Sequence, residues 1–154
     1  HLNSPEKFCD ELRRHAQENL AVKIIISTGN IGFAVTRLML FLGQFNYNKR
    51  GILDLTHTRL FTRSSLRRLL RETGFVVEKE KGIPFPAPLF LRNGFWQNFL
   101  MKLQLFLIGI SKGLFAYQIF RVARALPTPE TLLKEARRHS DLKSSVLTAQ
   151  LEKV

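Results

Sequence analysis

Cysteine is nearly absent from this chain of 154 residues, in which Cys9 is the single example. One thiol cannot form an internal disulfide or build a thiolate metal cluster. Cys9 lies between Phe8 and Leu12 in a segment with helical periodicity, a setting typical of a cysteine packed in a core. The length and the 45% apolar content suit one domain held together by apolar packing.

Long uncharged apolar runs are also missing. The stretch from Phe95 to Leu114 is strongly apolar, but polar residues such as Lys102 interrupt it, and the uncharged run that remains is Leu103 to Ile110. A helix needs about 20 apolar residues to cross a bilayer, so we expect no transmembrane helix. The opening HLNSPEKFCDELRR lacks the pattern of a secretory signal. We therefore expect a cytoplasmic protein, with association at a membrane surface as the alternative.

Acidic residues are scarce, with 12 Asp and Glu against 24 Lys and Arg, a net charge of +12. Between Lys49 and Glu72 seven basic residues stand against two acidic ones, or 7 − 2 = +5. Because Leu66, Leu69 and Leu70 mark a buried helix face, part of this charge is expected on the solvated opposite face. The other interpretation is an anionic partner, such as a phosphorylated substrate, a membrane surface or nucleic acid. Nucleic acid is not favoured, because no stacking-aromatic pattern accompanies the charge.

The first part of the chain predicts a helix, a buried strand and a second helix. Ser4 can cap a helix that starts at Pro5 and ends near Asn19. The segment Val22 to Ser27 is rich in β-branched residues, which is typical of a central strand buried on both faces. Residues 31–42 are apolar nearly all round, which suits a helix packed on several sides or touching lipid, and a loop is expected to follow over 44–54.

The remainder predicts one more helix and two strands. Thr62 or Ser64 can cap the arginine-rich helix, and Gly74 stands where a left-handed residue ends a helix. The segments FVVEKE and AYQIFRVAR read as strands. Between them, GIPFPAP contains three prolines and is expected to be a rigid linker or rim loop rather than a strand interior or a helix. Beyond Glu130 two weak helical patterns of different phase follow.

Two polar segments carry residues suited to chemistry. His57, within DLTHTRLFT, can take a proton near neutral pH, and the alternative is a histidine that caps or stabilises its loop. The turn Ser27 to Gly32 follows a strand, but its GxxG spacing lacks a following lysine and does not match a nucleotide-binding fingerprint.

The order of these segments resembles the C-terminal half of class I S-adenosylmethionine-dependent methyltransferases, from His1 to about Arg124. The resemblance rests on the opening HLNSPEKF, the strand and turn KIIISTGNIG, the stretch HTRLFT, the helix ending in Gly-Phe and the two later strands. It implies a partial Rossmann-like α/β fold with strands five to seven and helical insertions. In that family strand seven lies antiparallel between five and six, so Val22 to Ser27 is expected beside AYQIFRVAR, with its other edge lacking a partner.

The resemblance also implies a division of the chain and a function. Residues 1–126 are expected to form the acceptor side of the methyltransferase domain, and 127–154 an appended helical or partly disordered tail. The methyl acceptor is left open among small molecules, lipid-linked compounds and other substrates. The glycine-rich loop that binds S-adenosylmethionine belongs to a missing N-terminal half, so the chain alone is expected to be inactive.

Individual residues take their expected roles from the same resemblance. His57 is the expected catalytic residue, and His1 and Leu2 are the expected remnant of the cofactor site. The expected substrate-binding residues are Asn30, Tyr47, Asp54 and Arg59. No metal site is expected, because the acidic residues that accompany a histidine turn in related RNA methyltransferases are absent. The aromatic residues around Tyr47 and in 95–106 are expected to form a lid or to pack on the sheet.

The competing prediction comes from a different functional class. In it, the chain is a non-enzymatic basic module that binds an anionic membrane surface or nucleic acid.

Overall fold

The computed structural model describes residues 3–48, 51–86 and 94–151, and within these ranges the chain has a mixed α/β fold. The elements in chain order are α1 (Pro5–Ala16), β1 (Lys23–Gly29), α2 (Ala34–Phe41), α3 (Arg63–Glu72), β2 (Phe75–Ile83), α4 (Gly94–Ile110), α5 (Lys112–Phe115), β3 (Gln118–Ala125) and α6 (Pro129–Leu151).

The three strands form one antiparallel sheet in the order β1-β3-β2. Ile25 of β1 lies opposite Val122 of β3, and Phe75 of β2 lies opposite Ala125. The prediction that AYQIFRVAR pairs with the first strand is confirmed. Since β3 runs against both neighbours, β1 and β2 point the same way. The turn that follows β1 is described below.

Helices α1 and α3 cover one face of this sheet and form the core with it. The core joins Cys9, Leu70 and Phe75 to Ile119 and Ala123. Core packing of Cys9 is therefore confirmed, and burial raises the pKa of its thiol.

Both of these helices begin where the sequence predicts. The Ser4 side chain caps α1, and Thr62 with Ser65 forms a capping box at the start of α3. Gly74 follows α3 with a φ of +78°, the left-handed conformation that glycine adopts most easily. The predicted end of α1 near Asn19 is three residues late, because the helix stops at Ala16.

The prediction that the first strand is central and buried on both faces is wrong for the described residues. There β1 is an edge strand, paired along one side only. Ile24 and Ile26 pack against the core, whereas Ile25 on the other face is 67% exposed. The physical reason is that both covering helices pack on the same face of the sheet, the face that carries Ile24 and Ile26.

The proline-rich segment is only partly the predicted linker. Gly82 and Ile83 form the end of β2 and pair with Ile119 and Gln118, so the expected linker begins at Pro84 rather than at Gly82. The strand ends before Pro84, which lacks an N–H to continue the ladder. Ala87 and Pro88 lie outside the described residues. A Cβ on Gly82 would lie 2.7 Å from Ile108, so glycine lets α4 pack against β2.

The last element is one continuous helix where the sequence shows two weak patterns. Gln17, directly after α1, ties its start to the domain: the Gln17 Oε1 atom accepts from the Thr128 N–H at 3.0 Å and from the Thr131 hydroxyl at 2.8 Å. Whether residues 127–154 form a separate unit stays a prediction. None of the described helices is long and apolar enough to cross a membrane.

Candidate functional site

A cavity of about 200 Å³ lies beside the carboxyl end of β1 and contains the predicted catalytic histidine. We call it the His57 cavity. Its polar lining comes from Ser27, Thr28, His57, Thr58 and Arg59. Its apolar lining comes from Pro5, Phe8, Cys9, Ile26, Phe61, Leu66, Leu69 and Leu70. The fold therefore brings the predicted His57 and Arg59 to the end of β1, although the strand end lies about 30 residues earlier in the sequence.

Backbone pairing places the histidine loop beside the strand end. Asn30, the residue after β1, forms a parallel bridge with Phe61, and the Ile31 N–H donates to the Phe61 carbonyl at 3.0 Å. Phe61 directly precedes the cap of α3. The loop is thus held between β1 and the start of α3, and its side chains face the end of the strand.

Asp54 shapes the turn that carries His57. The Asp54 Oδ1 atom accepts from the Thr56 hydroxyl at 2.6 Å and from the Thr56 N–H at 2.8 Å, and the His57 N–H donates to the Asp54 carbonyl at 3.0 Å. The hydrogen bonds from Thr56, with a smaller contribution from the charge of His57, lower the pKa of Asp54. Asp54 is not among the lining residues of the His57 cavity, so its direct part in the site is to hold the turn as a carboxylate.

Arg59 joins the histidine loop to α1. Its Nη2 atom lies 2.7 Å from the Glu6 Oε1 atom, and its side chain is 51% exposed. Of this ion pair, Arg59 lines the His57 cavity and Glu6 does not. Because the guanidinium carries further N–H donors, Arg59 can still present positive charge to a ligand.

Asn30 is fully buried, and its amide bonds to backbone groups. The Nδ2 atom donates to the carbonyls of Ala116 at 2.8 Å and Gly113 at 3.0 Å, and the Oδ1 atom accepts from the Gly32 N–H at 3.0 Å. The structure thus places the predicted acceptor-binding Asn30 where it locks the turn after β1 to α5. It does not line the His57 cavity.

The predicted aromatic lid is dispersed. Tyr47 packs edge-on against Phe45 with ring centroids 5.4 Å apart and is 43% exposed. Phe33 packs instead on Tyr117 at 5.8 Å, and Phe41 is 86% exposed. None of these rings lines the His57 cavity.

The turn after β1 is closed by local hydrogen bonds and leaves little space. The Gly32 N–H donates to the Asn30 Oδ1 atom at 3.0 Å. A Cβ on Gly32 would already lie 3.0 Å from Asn30 Oδ1 and 3.2 Å from the Gly113 carbonyl. His1 and Leu2, the predicted cofactor remnant, lie outside the described residues, as do the basic Lys49 and Arg50.

Among the described side chains, no group of three or more His, Cys, Asp or Glu is placed to hold a metal ion.

Sequence reasoning did not identify a buried ion cluster around Glu80. The Glu80 carboxylate lies 2.6 Å from Arg63 Nε, 3.5 Å from Arg67 Nη2 and 2.5 Å from Arg121 Nη2. Arg121 is fully buried and lies directly opposite Glu80 in the sheet. Alternation in QIFRVARA places Arg121 on the core face with Ile119 and Ala123. Alternation in FVVEKE would place Glu80 on the face opposite to Phe75 and Val77. Glu80 reaches the core face because a β-bulge lies between Val77 and Lys79.

A second cleft, of about 290 Å³, lies at the same end of the sheet. We call it the arginine cleft. It is lined by Arg37, Thr62, Arg63, Ser64, Arg67, Arg68, Arg71 and Gly113. The starts of α2, α3 and α5 meet here, so the predicted basic face of α3 gains Arg37 from a different element.

Comparison with models of known protein families and with curated protein sequences gives no match to this chain.

Proposed function

We propose that this chain is the acceptor-binding part of a class I S-adenosylmethionine-dependent methyltransferase with a partial Rossmann-like fold. The observation that carries the proposal is the arrangement of β1, β3 and β2, with the antiparallel strand in the middle and the HTRLFT loop beside the carboxyl end of β1. This is the arrangement expected for strands five to seven of that family.

The His57 cavity is the proposed acceptor site. Its walls are largely apolar, and its polar groups converge near the end of β1, which is the usual character of a small-molecule pocket. His57 would accept the proton of the acceptor's nucleophile, and Arg59 would orient an anionic or hydroxyl-rich portion of the acceptor. Asp54 and Asn30 would act indirectly, by holding the two turns that border the site.

Cofactor binding is assigned to sequence other than these 154 residues. The turn after β1 is closed by the Asn30 amide, and the sequence contains no glycine-rich loop of the required pattern. The proposal therefore predicts that this chain alone does not bind S-adenosylmethionine and is inactive by itself.

Isothermal titration with S-adenosylmethionine tests the assignment. The 154-residue chain is compared with a longer product that includes any in-frame sequence encoded before His1. We expect no measurable heat from the shorter chain and micromolar binding by the longer one. Micromolar binding by the shorter chain would overturn the division of roles. Two results would overturn the methyltransferase proposal. One is that no glycine-rich strand, loop and helix are encoded before His1, and the other is that a longer chain containing them does not bind the cofactor.

The alternative function is a non-enzymatic module that binds an anionic partner. The arginine cleft favours it, because five arginines from two helices line one concave surface. This alternative predicts that a longer product also fails to bind the cofactor. It also predicts that charge-neutralising substitutions in the cleft abolish binding of the anionic partner.

A further inference from the structure

Helix α2 presents apolar side chains to solvent at a helical spacing. Val35, Leu38 and Phe41 follow one another at i, i+3 and i+6 and are 54%, 59% and 86% exposed. Buried Thr36 and the bond from the Arg37 Nε atom to the Gly32 carbonyl at 2.8 Å hold the helix to the domain by its other side. An exposed apolar helix face of this kind usually marks an interaction surface.

Helix α4 does the same over a greater length. Phe95, Trp96 and Phe106 are 76%, 55% and 66% exposed, and of the 17 helix residues only Lys102 is charged. At 1.5 Å per residue the helix is roughly 25 Å long. This length and the central lysine suit a helix lying in the plane of a membrane interface rather than one that crosses it. Buried Ile108 anchors the C-terminal half of α4 to the sheet.

The two sequence segments that contain these helices carry positive charge only. No Asp or Glu occurs from Asn19 to Leu53 or from Lys81 to Pro129, the segments that contain α2 and α4. The arginine cleft connects the helices, because Arg37 of α2 lines it together with Gly113 of α5, which directly follows α4. The exposed apolar side chains therefore border a cleft with five guanidinium groups. Arg63 and Arg67 share the carboxylate of Glu80, and Arg68 pairs with Glu72, so the five arginines outnumber these two carboxylates.

We propose that α2, α4 and the arginine cleft form a docking surface for an anionic lipid bilayer. The apolar side chains enter the boundary between headgroups and acyl chains, and the arginines bind lipid phosphates. Trp96 has the amphipathic ring that is favoured at this depth. A nucleic acid would leave the apolar helix faces in water, and a second copy of the chain would bring two arginine clefts together. The proposal does not depend on the methyltransferase assignment.

Trp96 is the only tryptophan in the chain, so its fluorescence reports directly on α4. The full chain is mixed with vesicles of phosphatidylcholine alone or with added phosphatidylglycerol. We expect a blue shift and quenching by brominated acyl chains with the anionic vesicles, and much weaker changes with the neutral ones. Cosedimentation with the same vesicles measures the affinity, and raised salt should weaken it.

One pair of double variants tests whether vesicle binding depends on the apolar side chains of α4 or on any exposed apolar side chain. Phe95→Ser with Phe106→Ser removes two rings from α4 and should weaken vesicle binding by about tenfold or more. The matched control is Leu132→Ser with Leu133→Ser, since these α6 residues are 51% and 60% exposed but belong to a different surface. The control should bind like the parent chain. Circular dichroism confirms that each variant is folded.

A second pair of double variants tests whether vesicle binding depends on arginines in the cleft or only on the total positive charge of the chain. Arg68→Gln with Arg71→Gln removes two charges from the arginine cleft, and Arg137→Gln with Arg138→Gln removes two from α6. The first pair should weaken binding to anionic vesicles by about thirtyfold, because each cation at the surface contributes about 1 kcal/mol. The second pair should leave binding nearly unchanged.

Several results would overturn the proposal. They are a Trp96 spectrum unaffected by anionic vesicles, equal affinity for neutral vesicles, or equal losses in the test and control variants. A blue shift that grows with protein concentration without vesicles would assign the surface to self-association instead. Retention of RNA with no retention of vesicles would assign the arginines to nucleic acid.

Discussion

Glu80 is the residue on which the charged part of the core depends. Burial is the largest single influence on this carboxyl and acts to raise its pKa, but the hydrogen bonds from Arg63 and Arg121 and the charges of these two residues together outweigh it, so the pKa of Glu80 is lowered. The carboxylate also lies opposite Arg121, which is fully buried. Removing a charge here leaves a buried cation without its counter-ion.

Glu80→Gln should therefore lower the free energy of unfolding by about 3 kcal/mol at neutral pH. A lowered folded pKa means that the stabilisation is complete above the ordinary glutamate pKa of 4.5 and is lost as the pH falls through the lower folded value. Urea unfolding between pH 3 and pH 7 measures both effects, and the difference between parent and variant should shrink toward the acid end.

Glu78→Gln is the matched control for Glu80. Glu78 is on the same strand and pairs with Lys23 and Arg124, but its side chain is more exposed, 27% against 10% for Glu80. We expect a clearly smaller loss at neutral pH. Equal losses from the two variants would show that the buried cluster contributes no more than a surface ion pair.

His57 is the residue that decides between a catalytic and a structural role for its loop. In a longer chain with methyltransferase activity, His57→Ala should lower kcat by about a hundredfold or more and leave cofactor affinity unchanged, because a positioned base contributes about this much. If His57 only stabilises the loop, the change should cost about 1 kcal/mol of stability with near-normal turnover. Turnover and thermal midpoint are measured on the same preparation. His15→Ala, on the exposed side of α1, is the control and should change neither.

At the scale of elements, the parts predicted correctly are those with local causes. Helix α3 is marked by a capping threonine at its start, by leucines on its buried face and by Gly74 after its end, all within one short segment. Helix α1 and the strands β2 and β3 have comparable local patterns. Their existence needed no knowledge of the rest of the chain, although α1 and β2 ended a few residues from the predicted positions.

The features missed at this scale depend on distant residues. The strand β1 has the composition of a buried central strand, but its burial is decided by which elements pack on it, and Ile25 remains exposed. The acceptor-binding role of Asn30 is expected from the family resemblance, whereas its hydrogen-bond partners Gly113 and Ala116 lie more than 80 residues further along the chain. Pairing of Glu80 with Arg121 likewise requires the register between strands. His57 and Arg59 line the same cavity, and one short motif holds both.

At the scale of the whole molecule, the sheet has one covered face and one largely open face. Ile25 and Val76 on the open face are 67% and 43% exposed. Among the described residues β1 also pairs along one edge only. An apolar edge strand with free backbone groups is a surface to which a further strand can add. This is the position where strand four of the proposed family would lie.

The chain by itself should therefore self-associate through β1. Sedimentation velocity should show dimers or larger species that grow with concentration, and hydrogen exchange should protect the β1 amides more strongly as they form. Ile25→Lys should shift the population toward monomer, because a charged side chain on this strand opposes further pairing.

Leu133→Lys adds the same charge on α6, where Leu133 is 60% exposed, and should leave association unchanged. Leu38→Ser with Phe41→Ser tests whether the apolar face of α2, rather than β1, holds the chains together. It should also leave association unchanged. A monomeric parent chain with fully protected β1 amides would contradict an open edge.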